Sequence, residues 1–130
     1  MKITARSLQI ALGSIFLVLG GWTLLLPGVV EQLVLSPEYY AGTRTSALLI
    51  GCFGAQAVLC GTVIVASRFT PRTFLVFGLV GSIPFFGFNY YFVFVEPVFN
   101  RWMLIDFIGN LGILACGVRG WQLLRAEQPR

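Results

Sequence analysis

LQIALGSIFLVLGGWTLLL, residues 8–26, is a run without a single charged side chain that stops at Pro27-Gly28. A helix rises about 1.5 Å per residue and the hydrocarbon core of a bilayer is about 30 Å thick, so about 20 mainly apolar residues cross it. Three more stretches are long and apolar enough, at about residues 45–66, 73–95 and 102–121. Only helices fit, because a lone strand would leave its backbone groups unpaired in lipid. The expected fold is therefore all-α: one integral membrane domain, residues 1–130, arranged as an up-down four-helix transmembrane bundle.

The first run has a basic start in Lys2 and Arg6, as a signal peptide would. Its apolar stretch is too long for one, and Leu24-Leu25-Leu26-Pro27 offers no small-residue cleavage site. It reads as a retained helix.

The composition agrees with lipid as the main solvent. Of 130 residues 57% are hydrophobic and 11% charged, with a mean hydropathy of +0.84. Soluble domains run near a quarter charged. The formal charge of +4 would suit nucleic acid in a soluble protein, but here the basic residues sit at the ends of the apolar runs. Lys2, Arg6, Arg68, Arg72, Arg119, Arg125 and Arg130 fall on one side of the four crossings, and Arg44 and Arg101 on the other. Basic residues concentrate on the cytoplasmic side, so both termini are expected there, in the inner (plasma) membrane if the cell is bacterial. Trp22, Tyr39, Tyr40, Trp102 and Trp121 fall near the expected interfaces, where amphipathic rings prefer to sit. No nucleic-acid partner is expected.

There is no histidine, and the three cysteines, Cys52, Cys60 and Cys116, lie inside apolar runs. Haem, zinc and copper sites draw on histidine or clustered cysteine, so no metal or other cofactor is expected. Cys60 and Cys116 fall at similar depths toward the cytoplasmic side and form a candidate thiol pair. Cys52 and Cys60 cannot bridge each other, since eight helical residues separate them by about 12 Å.

The first outer loop, about residues 28–43, is long and carries a short apolar face in Val29, Val30, Leu33 and Val34. It reads as a short interfacial helix or as a lid over a cavity. Ser36-Pro37-Glu38 resembles a helix start, with Ser36 as N-cap.

The second run presents two stripes at helical spacing. Ala47, Gly51, Gly54, Ala55 and Gly61 form a small-residue surface that lets another helix approach closely, and so a candidate packing or partner interface. Cys52, Gln56 and Cys60 lie roughly opposite. Both stripes cannot face the middle of one bundle. If Gln56 faces inward, the glycine stripe is free for a homo-oligomer or a partner membrane protein; if the glycines face inward, the chain is self-contained.

Pro84 removes a backbone donor in the middle of the third run and should kink it. The stretch from Phe85 to Phe99 contains eight aromatic residues. They form either a lipid-facing belt or the wall of an apolar pocket.

In the fourth run Asp106 and Asn110 stand one turn apart on one face. By helix rise they lie about 6 Å and 12 Å from the outer end, and Asn89 on the third helix lies about 9 Å deep. Thr23 and Arg44 are on the same outer side. An ionisable residue within a span is a candidate functional site whose partner must be named. Arg44 is the first candidate and Arg101 the second. Asn89, Asp106, Asn110, Arg44 and Thr23 together make a candidate ligand site. The plainer alternative is that Asp106 clamps the outer ends of the helices, and a proton relay is a third reading.

A glycine-rich first span with Gly13, Gly20 and Gly21, ending at Pro27, followed by a glycine-rich second span just after Arg44, resembles the DoxX-like group of small four-helix membrane proteins. The resemblance implies a link to quinone or sulfur-compound oxidation, as in some members. No catalytic motif matches, so it carries over no functional residue. The expected role is non-enzymatic, in a lipid bilayer: binding a small lipophilic molecule, or serving as an accessory subunit. The alternative is a DoxX-like oxidoreductase component that uses quinone.

Overall fold

The computed structural model describes residues 3–127. Lys2 and Arg130, which contribute to the charge asymmetry, lie outside the described residues. The described chain is helical, with α1 (Ala5–Leu25), α2 (Pro27–Val34), α3 (Arg44–Ala66), α4 (Pro71–Val80), α5 (Ile83–Tyr90) and α6 (Leu104–Ala126). Short helical turns occupy Pro37–Tyr39, Tyr91–Val95 and Arg101–Met103. Four stretches are long and apolar enough to cross a membrane: Ala5–Leu25, Arg44–Ala66, Pro71–Val95 and Arg101–Ala126.

Local chemistry sets the ends. Thr4 and Thr43 each accept from the backbone three residues on, at Ser7 and Ser46, whose hydroxyls return the bond. These reciprocal caps satisfy orphan donors at the starts of α1 and α3. The first helix therefore starts three residues earlier than its apolar run. The fourth continues past Trp121 to Ala126, because Leu123 and Leu124 extend its apolar side.

The third stretch is interrupted where Pro84 predicts. α4 ends at Val80, and α5 begins at Ile83 with Pro84 in its first turn. Buried Ser82 bridges the break by donating to the Gly78 carbonyl. Beyond α5 the chain widens into a π-helical turn at Tyr91–Val95.

Glycines decide which helices touch. α3 packs on α1, α1 on α6, and α4 on α6; no comparable seam joins α3 to α4 or α5. On α1 Gly13 and Gly20 are buried, and on α3 Gly54 and Gly61. A Cβ on Gly61 would sit 2.8 Å from the Gly13 carbonyl oxygen, and one on Gly54 would sit 2.8 Å from that of Gly20. The two pairs match in antiparallel register, seven residues apart on each helix. Dispersion contacts hold helices together in lipid, so backbones that approach this closely gain most. On the second seam Gly78 faces Gly117 across α4 and α6, and the Phe74 ring lies on Gly120.

The small-residue stripe of α3 is thus placed inside the chain. Gly54 and Gly61 face α1, Gly51 lies nearest Pro27, and Ala47 and Ala55 are half-buried. Gln56 is exposed, together with Cys52, on the opposite face.

Candidate functional site

At the end of the bundle that carries α2, the missing seam between α3 and α5 leaves a cavity of about 540 Å³. Its inner wall is Leu19, Trp22 and Thr23 of α1 with Ile105 and Asp106 of α6. Leu49, Ile50 and Phe53 of α3 form one side, and Phe85 and Phe88 of α5 the other. Val30 and Val34 of α2, with Leu35, Phe99, Trp102 and Met103, close the end. The short helix of the first loop is therefore the cavity's lid. The aromatic stretch is divided between two surroundings. Phe85, Phe88 and Phe99 line the cavity, whereas Tyr90 and Phe94, more exposed than Phe85 and Phe88, lie tilted against each other with ring centroids 6.0 Å apart.

The polar centre is built by three residues from two helices. Asp106 is in the first turn of α6, and Asn110 stands one turn deeper on the same face. Asn89, 1% exposed, reaches across from α5. Both amides donate to the same carboxylate oxygen: Asn89 Nδ2 to Asp106 Oδ2 at 2.9 Å and Asn110 Nδ2 to Asp106 Oδ2 at 2.8 Å. Asp106 Oδ1 receives no donor among the described residues, and Asp106 lines the cavity. Asn89 Oδ1 is buried and without a partner.

Of the remaining expected residues, Thr23 lines the cavity while its hydroxyl donates to the Leu19 carbonyl at 2.8 Å. Arg44 is exposed in the first turn of α3. The partners of Asp106 are the two asparagines, and neither Arg44 nor Arg101 takes that place. Cys60 and Cys116 are free thiols on α3 and α6, two helices that each pack on α1. No group of three or more His, Cys, Asp or Glu comes together for a metal among the described residues.

The lid is pinned by Ser36 and by two residues that sequence reasoning passed over, Glu31 and Asn100. Glu31 is 1% exposed; its carboxylate accepts from the Gly42 backbone at 3.2 Å and the Ser46 hydroxyl at 2.9 Å, at the start of α3. A helix N-terminus favours negative charge, so the placement suits a carboxylate. Asn100 Nδ2 donates to the Leu33 and Leu35 carbonyls at 2.6 and 3.1 Å, and its Oδ1 accepts from Trp102. Ser36 stands at the N-cap of the short turn Pro37–Tyr39 as expected, but its hydroxyl donates to the Pro97 carbonyl at 2.9 Å and makes no capping bond. The asparagine before Arg101-Trp102 was a readable cap signal. Nothing local marked Glu31, since its partners lie 11 and 15 residues away.

At the opposite end, Gln9 is 3% exposed and donates to the Ile64 and Ser67 carbonyls, at 2.5 and 2.8 Å. Arg6 donates to those of Val65 and Ser67. Together they satisfy the carbonyls of Ile64 and Val65 in the last turn of α3 and of Ser67 just beyond it, which a helix end leaves unpaired. No known protein family, curated protein or solved structure matches the chain.

Proposed function

We propose that the chain crosses the bilayer four times as an up-down bundle with both termini cytoplasmic, and that it binds a small lipophilic molecule in its outer half. The asymmetry of Lys and Arg supports the direction. The observation that carries the binding role is the cavity of about 540 Å³, largely apolar, with one carboxylate on its wall. Sites for small ligands commonly have this form: an apolar enclosure with a few placed polar groups that fix orientation. The absent seam between α3 and α5 faces the surrounding lipid, so a lipophilic ligand reaches the cavity sideways, without crossing water.

The test is gentle extraction into lipid nanodiscs followed by native mass spectrometry, on the natural sequence and on Thr23→Phe, which places a ring in the cavity. A bound small molecule that Thr23→Phe removes is the expected result. A chain with no adduct, or one whose adducts ignore the substitution, would overturn the binding role. The same spectrum reads the alternatives: a quinone mass would favour the DoxX-like reading, and a partner chain the accessory-subunit reading.

A further inference from the structure

The ligand's chemical class follows from the polar atom left unmatched on the cavity wall, and this step rests on the cavity being a ligand site. Asp106 Oδ2 is occupied by two amide donors, whereas Oδ1 has none. Asn89 Oδ1 is buried without a partner. Asn89 and Asn110 do not line the cavity, so the unmatched atom that a ligand meets there is the Asp106 acceptor. Asp106 is the one charged residue lining the cavity among the described residues, and no basic side chain lines it. Asp106 is half-buried and its Oδ1 stays accessible, so a donor entering the cavity can reach it, and a carboxylate on an apolar wall favours a cationic donor. Charges in a low-dielectric site also interact several times more strongly than in water.

We propose that the cavity takes a lipophilic cation, a protonated amine on an apolar chain or ring, whose N–H groups donate to Asp106 Oδ1. The apolar body lies against Phe85 and Phe88, and the indoles of Trp22 and Trp102 add aromatic faces on which a cation is favoured. A fatty acid would set a carboxylate against a carboxylate. A quinone would set a carbonyl acceptor against the unmatched Asp106 acceptor. An alcohol of the same length keeps the apolar contacts and one donor but lacks the charge.

The experiment uses bromododecylamine and bromododecanol, which share a chain and differ in the head group. Bromine quenches tryptophan fluorescence at short range, and two of the three tryptophans, Trp22 and Trp102, line the cavity. The protein in nanodiscs is titrated with each probe, alongside Asp106→Asn, Asp106→Glu and Thr23→Phe. The expected result is saturable quenching by both probes. The amine should bind at least about tenfold more tightly, the scale of a charge-assisted hydrogen bond. Asp106→Asn should abolish that preference, Asp106→Glu should keep it, and Thr23→Phe should weaken both probes. Equal affinities that Asp106→Asn leaves unchanged would overturn the cation while leaving the cavity as a ligand site. Non-saturable quenching that Thr23→Phe does not alter would overturn the ligand site itself. Should Asp106→Asn fail to fold, loss of the amine preference in Asp106→Glu would still refute the proposal.

Discussion

Gly54→Ala is the sharpest test of how this chain holds together. A Cβ there would lie 2.8 Å from the Gly20 carbonyl oxygen and from Leu24 Cα, and closer still to the Leu24 backbone nitrogen. All three neighbours are main-chain atoms, so no rotamer change relieves the clash. Reaching ordinary contact with the Leu24 nitrogen moves α1 and α3 apart by about 1 Å, and overpacking of this kind costs about 1–3 kcal/mol. Alanine's better helix propensity returns about 1 kcal/mol. The net expectation is a loss of about 1–2 kcal/mol, because parting the helices at Gly54 also loosens the Gly13–Gly61 contact. Gly21 supplies the control: it is on α1, one residue from the seam, and a Cβ there meets nothing within 4 Å. Gly21→Ala should therefore raise stability by up to about 1 kcal/mol. The measurement is reversible unfolding of both variants in mixed micelles with increasing dodecyl sulfate, followed by far-ultraviolet circular dichroism. The reasoning fails if Gly54→Ala matches or exceeds the natural sequence, or if both variants shift the same way.

Asn100→Ala should destabilise the chain by about 1–3 kcal/mol, since two lid carbonyls and the Trp102 amide lose their partner. Hydrogen exchange across residues 27–36 should quicken while the Gly54 region stays protected; an unchanged lid would refute its pinning role. Cys60 and Cys116 are free thiols on helices that pack separately on α1, so a mild oxidant should give no bridge between them within one chain. Peptide mapping under non-reducing conditions decides this, and a Cys60–Cys116 peptide would support the thiol pair.

The four long helices could be read from the sequence because length and apolar content are local properties, and the solvent imposes them residue by residue. The break at Pro84 was legible for the same reason: the missing donor belongs to that residue alone. Which way each helix faces was not legible. In a soluble helix, water separates the inner from the outer side and leaves a periodic stripe. In lipid both sides are apolar, so the two stripes of α3 were equivalent on paper. Only the tertiary structure separated them, through the antiparallel match of Gly13 and Gly20 with Gly61 and Gly54, which turns Gln56 outward. The candidate site divided along the same line. Asp106 and Asn110 share a face by helical spacing alone, and Asn89 fell at a matching depth, so these three were readable from helix geometry. Replacing Arg44 by two asparagines as the partners of Asp106 needed the real distance between helices. The buried Glu31 needed the folded loop, because the atoms that satisfy it are distant in sequence and meet only when α2 closes over α3.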